Sequence, residues 1–552
     1  MLQPCSYSLD YTQMWTFFEE TKTLALMLFP RFRRLVIVRG YRKARTVGKI
    51  GLVQEIKYSI STTQSPVNNV SLSEQIFSKT IEDPDLLVRQ YLTVRTGETS
   101  LVSSIYSALG GGAKVFRLPP HTHNVLIAHG VPVNKFMSSV VWRFYTFAFW
   151  LFGVLAILKF SSEDLGQKKQ IGHGFEKAYF ANLPETAGPN QDSKVERLDL
   201  LTWFAKNKAK SLGIKYMLDG NYRDEKKAIN GVFFQRQVNP WPQFESPVAR
   251  LHFIKWGFCN AVLSLRDFVL GRWWHPLLLL EAAKAKRMAL SNDDQMPACY
   301  WLSHESYKYK PMWVHVAEKR DKSTFLYFYS TNNQTVQPAS QKVVTSGYWH
   351  LMDWPTCVVW NEIQADILRS YIKSPCKFIV VRALPYTDSD ILIPKIEGPV
   401  IAVFDAPVRQ TDRAIFVGQA HRYATVKNVT DFYEDIIDMS TKHGIRLCVK
   451  QKHRPTQNPS SPLKLDHIIK QALDGVISVD ARVSAHRVVK ATDGCIALPY
   501  SSTALVANSM GKPSCYYDPT GSLPTSTSLS HGVKIIRSKQ DLGKWIKENI
   551  NH

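Results

Sequence analysis

The chain is expected to fold as an α/β protein with two doubly wound, Rossmann-like domains. Three observations carry that expectation. At 552 residues the chain exceeds what one hydrophobic core holds. After residue 395, short apolar runs alternate with amphipathic runs at a spacing that calls for a parallel sheet with helices on both faces. A hydrophobic content of 45% with 21% charged residues describes a folded chain and excludes a disordered one.

The region after residue 395 is the more regular. Strands are predicted at Val400–Phe404, Arg446–Lys450, Val476–Val479, Cys495–Leu498, Ser514–Tyr517 and Val533–Ile536. Between them, Phe432, Ile436, Ile437 and Met439 mark one helical face, and Leu465, Ile468, Ile469 and Leu473 a second. Leu542, Trp545, Ile546 and Ile550 mark the last. The stretch Pro385 to Pro399, with three prolines and a glycine, reads as a linker, so one domain spans 395–552.

Earlier residues are read as a second α/β domain with an insertion. Leu35–Val38 is predicted as a strand, Leu101–Leu109 as a helix stopped by Gly110-Gly111-Gly112, and Ala113–Leu118 as a strand. The polar segment Phe160 to Asn239 reads as helical. Strands return at Thr324–Tyr329 and Thr356–Trp360, followed by a helix over Asn361–Ile372. The expected division is an α/β part over 1–137, a helical, partly membrane-facing insertion over 138–296, and a continuation of the first domain over 297–390.

The net charge of +23 suits an anionic partner such as a nucleotide, an acidic lipid surface or a nucleic acid. No nucleic-acid module is visible, and the basic residues cluster with Trp and Leu, which disfavours nucleic acid. Between Arg143 and Lys159 lie fifteen uncharged, mostly aromatic or aliphatic residues. As a helix that run is about 22 Å long, short of the roughly 30 Å hydrocarbon core, so an interfacial or buried helix is expected. Trp256 to Leu280, with Trp273-Trp274 beside Arg272 and then Lys284-Ala285-Lys286-Arg287, repeats the pattern and points to an anionic membrane surface. Eight scattered cysteines form no C-x-x-C pair, which fits a reducing compartment. With no secretory signal in the first residues, the expected place is the cytoplasm, on the inner face of the cytoplasmic membrane.

The most informative motif runs from Asp493 through Pro499-Tyr500-Ser501-Ser502-Thr503 to Gly511-Lys512-Pro513. A strand ends at a hydroxyl cluster that opens a helix, so Ser501, Ser502 and Thr503 stand at a helix N-terminus at a sheet's carboxyl edge. That place favours phosphate. An ordinary Ser/Thr cap is the plainer reading of the same residues. Lys450 ends another strand, and Lys452, His453 and Arg454 follow it at the same edge. Together these groups are candidates to hold the phosphate of a donor. Asp405 and Arg409 follow the first strand of this domain and face the cleft; Asp518 is a candidate for a ribose hydroxyl or a turn cap. In the first domain His304 and Glu305 are candidates for a general base. No Asp-x-Asp motif stands at a strand end, so no metal and no cofactor are called for. The absence of G-x-x-x-x-G-K-[ST] disfavours an ATPase.

Two facing α/β domains with a basic cleft suggest a GT-B-like glycosyltransferase. The segments Phe404-Asp405-Ala406-Pro407-Val408-Arg409, Lys450-Gln451-Lys452-His453-Arg454-Pro455, Leu498 to Leu505 and Gly511 to Gly521 occur in that order. Over roughly residues 400–540 they resemble bacterial surface-polysaccharide proteins named for a Pro-Phe-Thr-Ser motif, here Pro499-Tyr500-Ser501-Ser502. The resemblance implies a cytoplasmic enzyme of capsule or lipopolysaccharide O-antigen assembly. The basic-His-Pro run also resembles the phosphate-gripping segment of capsule enzymes that use CMP-activated acidic sugars. The reading is transfer from a nucleotide sugar to a lipid-linked or polysaccharide acceptor. Transfer of a phospho-polyol from a CDP-linked donor, and a non-catalytic assembly factor, remain as alternatives.

Overall fold

The computed structural model describes residues 30–46, 52–63, 83–96, 99–112, 114–163, 173–183, 199–220, 228–331, 349–384, 389, 391–395, 397–405, 423, 425–450, 475–525 and 527–550. The chain begins with helices α1 (Pro30–Thr46), α2 (Leu52–Thr62), α3 (Pro84–Thr96), α4 (Thr99–Leu109), α5 (Pro120–Ala128) and α6 (Lys135–Ser162). The predicted strand at 35–38 is therefore a helix. A four-residue apolar run does not distinguish the two, and the wider spacing decides: Ile37, Tyr41 and Ala44 form one buried face against α4. Gly40 and Gly110 let the two backbones touch, since a Cβ on Gly40 would lie 1.8 Å from the Tyr106 carbonyl oxygen. Residues 114–118 are irregular rather than a strand, tied down where the Phe116 N–H donates to Ser138 Oγ at 3.0 Å.

The first sheet then assembles from β1 (Lys177–Phe180), β2 (Tyr216–Asp219), β3 (Ala228–Ile229), β4 (Val232–Arg236), β5 (Cys299–Ser303), β6 (Ser323–Tyr327), β7 (Thr356–Val359) and β8 (Lys377–Val380). Its helices are α7 (Leu200–Asn207), α8 (Pro247–Val269), α9 (Trp274–Ala289), α10 (Met312–Lys319) and α11 (Glu362–Tyr371). The strand order is β3-β4-β2-β1-β5-β6-β7-β8, parallel except for β3. Four strands thus lie inside 138–296, which is not a purely helical insertion. They escape a sequence reading because they are short runs within the polar segment 160–239, where no regular alternation with amphipathic runs marks them.

The second sheet holds β9 (Val400–Phe404), β10 (Arg446–Lys450), β11 (Val476–Val479), β12 (Gly494–Ala497), β13 (Ser514–Tyr517) and β14 (Lys534–Ile536). Helices α12 (Val426–Lys442), α13 (Ala485–Lys490), α14 (Ser502–Ser509) and α15 (Lys539–Ile550) cover it. The order β11-β10-β9-β12-β13-β14 is entirely parallel and reverses direction between β9 and β12. This is the doubly wound pattern, and the first sheet repeats it with its reversal between β1 and β5. The predicted helical face Leu465–Leu473 lies outside the described residues.

The halves meet through loops that leave the carboxyl ends of strands. Thr331, after β6, donates its N–H to Ser502 Oγ at 3.4 Å, and Asn361, after β7, lies with Oδ1 3.1 Å from His531 Nδ1. Trp360 is buried in the core of the second half. His486 Nε2 and the Ala383 carbonyl, 2.6 Å apart, pin the connecting segment, and Arg487 adds a bond to the Ile391 carbonyl. The result is two Rossmann-like domains with facing carboxyl edges, the GT-B-like arrangement.

Helix α6 is long and apolar enough, by length and composition, to cross a membrane. The second aromatic segment differs from its expectation. It breaks between α8 and α9, and Trp273 and Trp274 are buried rather than presented outward. Arg287 of the basic run is fully buried, stacked 3.7 Å over Phe244 and bonded to Ser291 Oγ at 2.9 Å. It is an internal bolt and not part of a basic surface.

Candidate functional site

The second half builds its site at the reversal of its sheet. Phe404, the last residue of β9, pairs with Lys450 on one side and Ala497 on the other. Asp405, Lys450 and the 498–503 turn therefore leave adjacent strands at one edge. The turn is tight: the Leu498 N–H donates to the Phe404 carbonyl at 3.0 Å, and the Ser501 N–H to the Leu498 carbonyl at 3.0 Å. Tyr500 sits at φ +62°, a left-handed conformation that costs a non-glycine residue about 1–3 kcal/mol. It is held there by burial and by the Tyr516 ring 6.0 Å away, whose hydroxyl donates to the Ser501 carbonyl at 3.0 Å.

That turn delivers the N-terminus of α14. Ser501 is its N-cap residue, but its side chain makes no capping bond; Ser501 Oγ and Thr503 Oγ1 bond each other at 2.9 Å. Among the described residues the first-turn amides have no side-chain acceptor, so the helix end keeps its attraction for an anion. Lys450 closes β10 beside it. Asp405 stands against Tyr433: burial first, then that carboxylate, holds the Tyr433 hydroxyl well above its ordinary pKa. Lys452, His453, Arg454 and Arg409 lie outside the described residues.

Asp518 resolves into the turn cap. Its carboxylate accepts from Tyr423 OH at 2.6 Å, Thr520 N–H at 3.0 Å, Thr520 Oγ1 at 2.6 Å and Leu523 N–H at 2.9 Å. It is fully buried, with three of those bonds on Oδ1 and one on Oδ2, and so ties the 518–523 turn together from within. Lys512, in the same motif stretch, donates to the Lys490 carbonyl at 2.9 Å and to that of Thr492.

In the first half, His304 and Glu305 follow β5, one of the two strands at the reversal of that sheet. The His304 ring stacks on Phe328 at 4.6 Å and on Tyr329 at 5.1 Å. Burial, with Lys308 adding to it, pulls its pKa down to about 4, so the imidazole is neutral at neutral pH. Its Nδ1 is buried and makes no hydrogen bond among the described residues. Glu305 is exposed and accepts from Tyr329 OH at 3.3 Å. Burial and this carboxylate push the Tyr329 hydroxyl up to about 12. Opposite, Asn182 follows β1 at φ +58° and reaches the Tyr307 hydroxyl at 3.4 Å. The arrangement offers a neutral ring nitrogen and a carboxylate on one side, and anion-seeking amides with a lysine on the other.

The model of the polysaccharide biosynthesis PFTS motif protein family matches residues 263–546, more than half of the chain and all of the second sheet. The chain belongs to that family. The matched residues include the Pro499-Tyr500-Ser501-Ser502 turn that sets α14 in place. No curated protein matches the chain. Among solved structures, it is similar to UGT89C1 of Arabidopsis thaliana at 10% identity, covering 68% of this chain and 89% of that one, with TM-score 0.37. The UDP-GlcNAc 2-epimerase of Methanocaldococcus jannaschii is similar at 9% identity over 68% and 92%, TM-score 0.33. A UDP-glucosyltransferase from Polygonum tinctorium follows at 11% over 67% and 82%, TM-score 0.31.

Thr331, Asn361 and His531, which join the two halves, carried no sequence signal for that role. They are polar loop residues far apart in the chain, and only the approach of the two halves brings them together. Asn361 alone was marked, as the first residue of a predicted helix; it caps α11 through the Gln364 N–H at 2.8 Å.

Proposed function

We propose that this protein is a glycosyltransferase of bacterial surface-polysaccharide assembly, capsule or lipopolysaccharide O-antigen. It takes a sugar from a nucleotide donor to a lipid-linked or glycan acceptor at the inner face of the cytoplasmic membrane. One observation carries the reading: two doubly wound sheets face each other at their carboxyl edges, with a helix end that its N-cap side chain leaves open on one side of the cleft and a half-buried, neutral His304 on the other. In the reaction the acceptor hydroxyl attacks the anomeric carbon as the bond to the nucleotide phosphate breaks. Negative charge grows on the leaving phosphate. The α14 amides, Ser501 to Thr503, Lys450, and Lys452 with Arg454 supply fixed positive potential there. That electrostatic stabilisation needs neither a metal nor a cofactor. The His304 imidazole, or the Glu305 carboxylate, accepts the hydroxyl proton. The resemblance of the run Lys452-His453-Arg454-Pro455 to the phosphate-gripping segment of capsule enzymes that use CMP-activated acidic sugars makes such a sugar the donor to test first.

A thermal-shift screen against CMP, CDP, UDP, GDP and TDP tests it, with Lys452→Ala and Arg454→Ala beside the parent. A ligand at a hundred times its Kd stabilises by about 2.7 kcal/mol, which such a screen detects. One nucleotide should shift the parent and leave the variants unmoved. No shift with any nucleotide, with and without acceptor lipid, would leave an assembly factor as the better reading. A phosphodiester in the isolated product would replace glycosyl transfer by phospho-polyol transfer.

A further inference from the structure

Helices α6 and α8 both rest on α9 and on each other. A Cβ on Gly153 would come within 2.8 Å of Leu279 in α9, and one on Gly257 within 2.3 Å of Ile157 Cγ2 in α6. Trp150 Nε1 donates to the Ala261 carbonyl at 3.0 Å, and Phe147 and Phe268 pack 5.9 Å apart. With α9 on one side, the remaining faces of both helices turn outward together.

Those outward faces are apolar. On α6, Phe144, Leu151 and Leu158 stand seven residues apart and are 72%, 43% and 62% exposed; on α8, Leu251 and Phe258 repeat the spacing at 64% and 71%. Seven residues are two helical turns, so each set forms one stripe. From Phe144 to Leu158 the stripe on α6 runs about 21 Å. The exposed charges along it are all cationic: Arg143 and Lys159 on α6, Lys255 and Arg266 on α8. Helix α6 contains no acidic residue, and the one on α8, Asp267, is buried against His275 and Arg272.

We propose that α6 and α8 form a two-helix platform that lies in the plane of one anionic bilayer leaflet without crossing it. The proposal rests on the membrane-face reading above and names the surface and the lipid chemistry. Charge selects the occupant. Two copies joined face to face about a two-fold axis would bring like cations together, whereas anionic headgroups pair with every one of them. Burial excludes crossing: Ser138, Trp142, Phe149 and Phe160 are buried along the whole of α6, so the helix cannot leave the protein to span the bilayer. Its exposed stripe instead enters the boundary between headgroups and acyl chains, to a depth of about 5–10 Å.

Flotation of the full-length protein with phosphatidylglycerol/phosphatidylethanolamine vesicles, against pure phosphatidylcholine vesicles, tests the proposal. The protein should float with the anionic vesicles and be weakened by salt. The combined variant Phe144→Glu, Leu251→Glu, Phe258→Glu should stay behind while keeping its melting temperature. Replacing Arg143, Lys159, Lys255 and Arg266 by Gln should weaken binding about fivefold per cation. Phe136→Cys and Ser162→Cys, made in a Cys259→Ser background, should both react with an impermeant maleimide added outside the vesicles. Protection of one end means a spanning helix and overturns the platform. So does parent-level flotation of the Glu variant, or a lipid-free dimer that this variant dissociates. The nucleotide shift, measured without lipid on the same proteins, separates failure of docking from failure of the transferase reading.

Discussion

The two halves of the molecule share a strand order and furnish its reversal point in opposite ways. At β9/β12 the second half places a strained aromatic turn, three hydroxyls and the open end of a helix, all groups that attract a phosphate. At β1/β5 the first half places aromatic rings around a neutral histidine, with a carboxylate beside it. One backbone pattern thus supplies two chemical environments. The sheet decides where a ligand sits, and the loop residues decide what it is.

The largest effect expected from this contrast belongs to His304. Replacement by Ala should lower kcat by about 10²–10⁴-fold and leave the donor Kd unchanged. The acid limb of the rate profile should lie near 4 rather than near 6.5. A lost donor affinity instead would show that the two sites are not divided as described. Next comes the other side of the cleft. Lys450→Ala with Lys452→Ala and Arg454→Ala should weaken donor binding by about a hundredfold or more, read by calorimetry, with the melting temperature held.

Stability effects sharpen the same comparison. Asp518→Asn puts an amide donor against the Leu523 N–H and should cost about 1–3 kcal/mol in denaturant unfolding, with little change in donor Kd. Asp518 was read from sequence as either a ribose contact or a turn cap, and its surroundings decide for the cap. A sequence shows that an Asp precedes a proline; it does not show Tyr423 folding back from ninety-five residues away.

Acid should act unequally on the halves. Burial is the main cause lowering the pKa of His121, His304, His350 and His531 to about 4 and of His315 to about 3, against an ordinary value of 6.5. The unfolded chain binds these protons first. Stability is therefore full above pH 6.5 and is lost as pH falls toward 4. Four of the five belong to the first half, so amide exchange there should rise first on acidification; simultaneous opening would show that the halves unfold as one unit. The smallest effect, about 1 kcal/mol, is expected for Asn361→Ala, which removes both a helix cap and the contact with His531.

Legibility differs between the halves for a physical reason. The second half was readable because its central strands β9 and β12 are buried on both faces and its apolar runs coincide with Gly or Pro punctuation. Its motif turn also announced the helix end. The first half sets several of its strands in the polar segment 160–239, without that punctuation, and opens with a helix whose apolar run imitated a strand. Its aromatics misled as well: Trp273 and Trp274 have the composition of a membrane anchor but fill the core, while the exposed faces lie on α6 and α8.

The sequence by itself determined two domains, the doubly wound order of the second, the family motif at a helix N-terminus and the excess of positive charge. These are local or additive properties, set by residue spacing and by sums. Tertiary structure alone decided that His304 is neutral, that Asp518 and Arg287 are internal fasteners, and that Thr331, Asn361 and His531 join the halves. Each of those outcomes depends on which distant groups remove water from a side chain or satisfy it, and chain order does not encode that distance.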